Sequence, residues 1–164
     1  MDIIKGQCWV FGRDVDTDQI LPGYAMAEAA GDLGKFAMAG SEIQDFATRV
    51  NKGDIIVAGP NFGSGSSREQ APQALKLAGV SLIIAPSFAR IFRRNAINIG
   101  LPVLMADLTG LVKTGEVISV DLGRAKIEAA GKSLEAQPLS ASVLETLEAG
   151  GLIPRVRKEL GVES

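Results

Sequence analysis

The sequence has no histidine and a single cysteine, Cys8, in 164 residues. A disulfide within the chain is therefore impossible, and zinc sites built from Cys and His are excluded. An iron–sulfur cluster held by this chain alone is excluded as well, because such clusters usually need three or four thiolates. Ser–His and Cys–His catalytic pairs cannot be assembled from these residues. An enzyme made from this chain uses an unusual base, or part of its site lies on another chain. A charge excess is also lacking: Lys and Arg number 17 against 19 Asp and Glu, a formal net charge of −2. Nucleic-acid binders normally carry a basic excess, so nucleic acid is not an expected partner. The longest apolar run, near residues 80–85, is far too short to span a membrane, and the first residues carry no export signal. The expected location is the cytoplasm. Low-complexity tracts, charge blocks and internal repeats are absent. Cys8 is expected to act as a small buried apolar residue.

What is present reads as an ordinary globular chain. Apolar residues make up 46% and charged residues 22%, and the length suits one domain with a real core. A short strand is predicted over 7–11, then a polar loop over 14–22. The Ala-rich segment 25–39 is interrupted by Gly31 and Gly34. Each costs a helix interior about 1 kcal/mol, so two short turns or a loop are expected there. Residues 45–50 read as a short helical piece. A βαβ-like run follows. Residues 54–58 and 80–85 read as buried strands, joined by a Gly/Ser loop and a helix with Ala71, Ala74, Leu75 and Ala78 on its apolar positions. Gly79 is placed to end that helix. A second helix over 89–99 closes at Gly100 and leads to a third strand over 101–106. The connections predict parallel strands. Residues 117–122 and 125–129 read as a hairpin. A tail helix over 140–149 has Val143, Leu144 and Leu147 on one face, and a last turn is expected over 152–160. The class is α/β, mixing parallel crossover units with antiparallel pieces.

The stretch Gly59-Pro-Asn-Phe-Gly-Ser-Gly-Ser-Ser-Arg-Glu69 carries the most chemistry. It joins a strand to a helix, and Gly63 and Gly65 allow backbone conformations and close ligand approaches that other residues avoid. Ser66 and Glu69 have capping-box spacing, although Pro72 argues for a later start of the regular helix. Backbone N–H groups at a helix start, with the planar cation of Arg68, suit an anion. The pattern is neither a P-loop, since no Lys-Ser/Thr follows the glycines, nor a dinucleotide loop, since Arg68 stands where the third Gly belongs. Two readings stand side by side: an anion site, or a structural cap and turn. Asp14, Asp16 and Asp18 likewise read as a solvated, locally bonded loop or as part of a site. A calcium loop is excluded because Gln19 and Ala25 replace its Gly and Glu. Arg90, Arg93 and Arg94 share one face by i, i+3 and i+4 spacing. They read as an ion-paired or solvated face, or as a contact for a partner or an anion, with no catalytic role.

The segments DVDTDQILPG, NFGSGSSREQAP, SFARIFRRNAINIGLP and LEAGGLIP, in this order over residues 6–154, resemble the small-subunit family of 3-isopropylmalate dehydratase. That family is the free-standing swivel domain of the aconitase superfamily. The resemblance implies a swivelling three-layer β/β/α domain of the aconitase C-terminal type, spanning residues 1–164 as one unit with a helical tail from about 140. It implies a hydro-lyase subunit that is active only with a large subunit. The partner bears a four-iron four-sulfur cluster, and this chain binds no metal. Carried over by residue, Ser66 matches the base that abstracts a carbon-bound proton. Ser67 and Arg68, with Gly65 in the same loop, match the groups that hold the carboxylates of a small dicarboxylate substrate. Asp18 matches an aspartate that supports the site.

Substrate choice is expected in the loop after the Asp-Thr-Asp motif, with Tyr24, Ala25 and Met26. Homoaconitases place an Arg there, and this chain has none between Pro22 and Phe36. Ala25 and Met26 are expected to offer apolar surface to an alkyl arm. The expected substrate is therefore 2-isopropylmalate/3-isopropylmalate in leucine biosynthesis. A related dehydratase of 2,3-dimethylmalate or homoaconitase type is the alternative, and a small anion-binding module is the non-enzyme reading.

Overall fold

The computed structural model describes residues 3–161. Parallel strands buried on both faces need near-continuous apolar runs, and three short stretches supply them. They form β2 (Ile55–Val57), β3 (Leu82–Ala85) and β4 (Val103–Met105). The first strand, β1 (Ile3–Val10), lies beside β2 in parallel register, Cys8 opposite Ile55 and Val10 opposite Val57. Its N-terminal half pairs instead with β5 (Val117–Asp121), antiparallel, Gly6 opposite Ile118. A hairpin adds β6 (Lys126–Ala129) and β7 (Lys132–Glu135), giving the order β4-β3-β2-β1-β5-β6-β7. Thus one strand feeds a parallel half-sheet at one end and an antiparallel half-sheet at the other.

Alternation along the strands then sets the layers. Cys8, Ile55, Val57, Leu82, Ile84 and Leu104 face the antiparallel half, against Ile118, Val120 and Ile127. Trp9, Ile56, Ile83 and Val103 face the opposite way, towards the helices. These include α3 (Gln70–Ala78), through Ala71, Ala74 and Leu75, and α4 (Arg90–Asn98), through Phe92, Ala96 and Ile97. Sheet on sheet on helix is the three-layer β/β/α arrangement expected of a swivel domain. Two single-turn helices, α1 (Thr17–Ile20) and α2 (Phe46–Arg49), precede these; α5 (Ala141–Ala149) and α6 (Leu152–Glu159) form the tail. No helix among the described residues is long and apolar enough to cross a membrane.

Four local readings change. The polar loop at 14–22 contains α1, closed by a capping box between Asp16 and Gln19. The Ala-rich segment is not among them: it forms the two short turns expected of it, 3-10 segments at Gly23–Ala27 and Ala30–Phe36, as its glycines favour. The first strand begins four residues before the predicted start, and β7 was not anticipated, because Lys-Ser-Leu-Glu at a sheet edge buries too little to leave a pattern. The Ser66–Glu69 capping box does not form, and α3 starts at Gln70. A helix begun at Ser66 would put Pro72 in its second turn, where its missing N–H is needed. Starting at Gln70 leaves Pro72 in the first turn, where it is not.

Phe46 anchors the helical side of the core, fully buried, with its ring centroid 5.0 Å from Trp9 and 5.8 Å from Phe11, both edge-on. Phe46→Ala is expected to lower the unfolding free energy by about 3–5 kcal/mol. Urea unfolding followed by the fluorescence of Trp9, the chain's one tryptophan, measures the loss.

Candidate active site

The serine loop leaves β2 and is seated before α3 starts. Phe62 is buried and edges both Phe88 and Phe92, so the loop's first residues are anchored in an aromatic cluster. Gly63 follows with φ +85°, and a Cβ there would meet Phe92 carbons at 2.3–2.8 Å. Only glycine fits both the conformation and the space. The segment after β1 comes alongside. The Gly63 N–H donates to the Val15 carbonyl at 2.7 Å, and the Thr17 N–H donates to the Ser64 carbonyl at 2.8 Å. Residues 15–17 and 63–64 thus lie side by side, with Asp16 and Ser64 bridged in parallel.

Beyond this seat the chain is exposed. Gly65, Ser66, Ser67 and Arg68 line one side of a cleft of about 530 Å³. The first turns of α4 line it too, through Arg90, Ile91, Phe92 and Arg94. Thr17 also lines the cleft, with its Oγ1 3.3 Å from the Ser66 Oγ. The Arg68 Nη1 donates to Asp18 Oδ1 at 3.2 Å and to the Leu21 carbonyl at 2.9 Å. Among the described residues its Nε and Nη2 have no partner, so those donors remain for a ligand carboxylate. Asp18 Oδ1 also accepts from the Gly23 N–H at 3.1 Å. The three aspartates therefore divide. Asp16 caps α1, and Asp14 accepts from the Asn61 amide and Arg13. Those two contacts, Asn61 first, hold the Asp14 carboxyl below its usual range. Asp18 is the one that pairs with Arg68.

Arg90 and Arg94, four apart on α4, have no ion-pair partner among the described residues. With Arg68 they make the cleft cationic, over an apolar stretch formed by Ile91 and Phe92. An anion with an apolar part suits such a lining.

Comparison with known proteins identifies the family of the chain. Residues 32–107 match the family model of the aconitase C-terminal domain. The chain is 46% identical to the 3-isopropylmalate dehydratase small subunit 1 of Methanopyrus kandleri, over 96% of this chain and 95% of that protein. It is 50% identical to the methanogen homoaconitase small subunit of Methanothermobacter thermautotrophicus, over 96% and 93%. The chain belongs to the family of 3-isopropylmalate dehydratase small subunits. A crystal structure of 3-isopropylmalate dehydratase from Methanocaldococcus jannaschii superposes with a TM-score of 0.90 at 42% identity, covering 97% of this chain and 96% of that one.

Against the family pattern, the sequence-predicted residues fall into two groups. Ser66, Ser67, Arg68 and Gly65 share the cleft, and Asp18 joins them through Arg68. The loop expected to choose the substrate does not line it. Ala25 is fully buried in the core and offers no surface to a ligand, which corrects the expectation for that residue. Its side chain closes the turn of a 3-10 segment against the core, while Tyr24 is 70% exposed and rests edge-on against Phe36. Met26 is half-buried against the core. The apolar surface of the loop thus rests on Tyr24 and Met26. Thr17, Arg90 and Arg94 were not among the expected site residues. Thr17 stands between two carboxylates that draw attention first. The three arginines of α4 read as one face, but the fold divides them. Arg90 and Arg94 reach the cleft, whereas the Nε of Arg93 is buried without a partner among the described residues.

The chain's own residues do not fit an iron–sulfur cluster. Its one thiol, Cys8, is 1% exposed between the two half-sheets, and its Sγ donates to the Lys113 carbonyl at 3.2 Å. Burial first, then the Glu116 carboxylate, pushes that thiol up, away from the thiolate a metal needs. No group of three or more His, Cys, Asp or Glu among the described residues is arranged to hold a metal ion.

Two outcomes follow from this geometry. Gly63→Ala forces a side chain into a left-handed conformation and against Phe92. It is expected to cost at least about 2 kcal/mol and to lower Tm by about 4–8 °C. Thermal unfolding monitored by circular dichroism reads the loss. Cys8 is expected to resist a disulfide-exchange reagent at pH 8 in the native protein and to titrate as one thiol in denaturant. Fast native modification would contradict its placement.

Proposed function

We propose that this chain, as one swivel domain, is the small subunit of a heteromeric hydro-lyase that isomerises an alkyl-substituted malate. The substrate pair is 2-isopropylmalate and 3-isopropylmalate, in the cytoplasmic leucine pathway. The observation that carries this reading is the cleft: an exposed serine hydroxyl beside three guanidinium groups and an apolar stretch. The homology to small subunits of this enzyme over nearly the whole chain supports it.

Dehydration of a malate needs a base for the proton on the carbon next to a carboxylate. It also needs cations that hold that carboxylate as negative charge develops on it. By its match to the family's serine, the base on this chain is Ser66. A serine hydroxyl is far too weakly acidic to lose its proton in neutral water, and positive charge fixed around it lowers that cost. Arg68, Arg90, Arg94 and the N-terminal end of α4 supply the field. Arg68 and Ser67 hold a carboxylate, and the N–H-rich loop at Gly65 approaches it closely. The Ser66 oxygen takes the carbon-bound proton, the double bond forms, and the hydroxyl leaves on the partner's side. A proton delivered from Ser66 to the carbon that lost the hydroxyl, with a hydroxyl added to the carbon that lost the proton, completes the isomerisation. The four-iron four-sulfur cluster belongs to the large subunit and lies outside the chemistry of this chain.

The alkyl arm is matched by what the substrate loop lacks. No arginine lies between Pro22 and Phe36, so a second side-chain carboxylate finds no bidentate partner there. Tyr24 and Met26 offer apolar and adaptable surface instead. The homoaconitase relative keeps the alternative substrate class in the test.

The isolated chain is expected to be inactive and to gain turnover of 2-isopropylmalate when mixed anaerobically with its cluster-loaded large subunit. Ser66→Ala should lower kcat by at least about 10³-fold while gel filtration still shows the assembled complex. Full turnover by that variant removes Ser66 as the base. Faster turnover of homocitrate or 2,3-dimethylmalate than of 2-isopropylmalate overturns the substrate assignment. Tight phosphate binding by the lone chain, indifferent to a large subunit, favours an anion-binding module.

A further inference from the structure

Thr17 is a buried hydroxyl in a position that neither its burial nor its backbone explains. It is 3% exposed, and its Oγ1 has one partner among the described residues, the Ser66 Oγ at 3.3 Å. Either hydroxyl of this pair can donate, but once the Ser66 oxygen has lost its proton only Thr17 can. The neighbouring contacts fix this pairing. The Thr17 N–H is held by the Ser64 carbonyl at 2.8 Å, and its χ1 is restricted by β-branching. Gly65, at φ +106°, brings the serine loop so close that a Cβ there would lie 3.0 Å from Thr17 Oγ1. Any larger residue would push the two hydroxyls apart.

We propose that Thr17 is the positioning residue of the proposed base, donating a hydrogen bond to the Ser66 oxygen and holding it towards the cleft. The inference rests on the function proposed for Ser66. A donor to an oxygen that becomes negative favours its charged form, so Thr17 lowers the proton affinity of Ser66 as well as fixing its rotamer. The charged groups around this pair are Arg68 on the serine loop, Arg90 and Arg94 on α4, and Asp16 and Asp18 on either side of Thr17. Glu69 follows Arg68. All of them remain when Thr17 alone is changed, so a shift caused by its hydroxyl can be separated from theirs.

The test uses the complex reconstituted with its cluster-loaded large subunit and 2-isopropylmalate. Thr17→Val keeps the size and removes the donor. Thr17→Ser keeps the donor and removes a methyl group. Thr17→Ala replaces the valine variant if that one fails to assemble. The donor-less variant is expected to lose about 10- to 100-fold in kcat with KM within about twofold. A base acts only after losing its proton, and loss of the donor raises its proton affinity. The rising limb of the kcat–pH profile is therefore expected to move to higher pH by about one unit. Thr17→Ser should stay within about threefold of the parent and keep its pH limb. A donor-less variant with parental kcat and an unmoved limb overturns the proposal, and so does a Thr17→Ser variant as impaired as Thr17→Val. An active Ser66→Ala complex, or a parent complex without turnover, removes the functional reading and the role of Thr17 with it. An inactive Ser66→Ala complex beside a parental Thr17→Val complex removes the role of Thr17 alone.

Discussion

The site depends on one strap between two loops that lie about fifty positions apart in the chain. Residues 15–17 are laid along residues 63–64 by two backbone hydrogen bonds, at 2.7 and 2.8 Å, before either loop turns towards solvent. Each such bond contributes only about 1 kcal/mol net, so the strap matters more for geometry than for stability. It decides that Thr17 faces Ser66 and that Asp18 comes within reach of Arg68. The Arg68–Asp18 contact itself adds little stability, because Asp18 is 70% exposed and surface pairs contribute about 0–1 kcal/mol. Buried backbone bonds and the aromatic seat under Gly63 hold the loops, and the charges are arranged upon them.

Much of the fold is legible in the sequence, for a physical reason. Strands buried on both faces and helices ended by glycine leave strong local patterns, as Ile55–Val57, Leu82–Ala85 and Gln70–Ala78 do. What does not read out locally is how distant segments meet. The division of β1 between two half-sheets is set by pairing with β5, more than a hundred positions away in sequence, and nothing within Ile3–Val10 announces it. The site behaves in the same way. The serine loop is conspicuous for its glycines and its Ser-Ser-Arg. The roles of Thr17, Arg90 and Arg94 appear only when the strap and α4 bring them to the same cleft. Arg93 shows the limit of helical spacing as a guide. An i, i+3, i+4 trio shares a broad face, yet the floor beneath it takes the Nε of one member and leaves the others at the opening.

Absence of histidine and of an available thiolate, with no lysine among the residues that line the cleft, narrows the chemistry there to oxygen bases and fixed cations. A serine can serve as a base only where charge is arranged in advance, since in water its conjugate base costs too much to form. The cleft meets that demand with guanidinium groups, which stay charged at any working pH and hold a planar carboxylate without rearranging. Lysines in their place would keep the charge but lose the fixed fork. The same arrangement explains why the lone subunit is not expected to turn over substrate. Open to solvent, its guanidinium charges act through a high dielectric, where their field in the cleft is weak.

Asp18 has a double effect in that balance. Its carboxylate draws the Arg68 Nη1 and, through the same oxygen, the Gly23 N–H, and so fixes the angle at which the guanidinium enters the cleft. It also places a negative charge beside the cation proposed to meet a substrate carboxylate. Arg90 and Arg94 shift the sum, because they bring two further positive charges to the same cleft without an acidic partner among the described residues. The cleft thus holds more guanidinium groups than the one that Asp18 orients. Closing the cleft against a partner lowers the local dielectric and strengthens both terms. The uncompensated pair then grows in effect more than the compensated one. Orientation from an Asp–Arg pair and net charge from a separate helix is a division that a single ion pair could not provide.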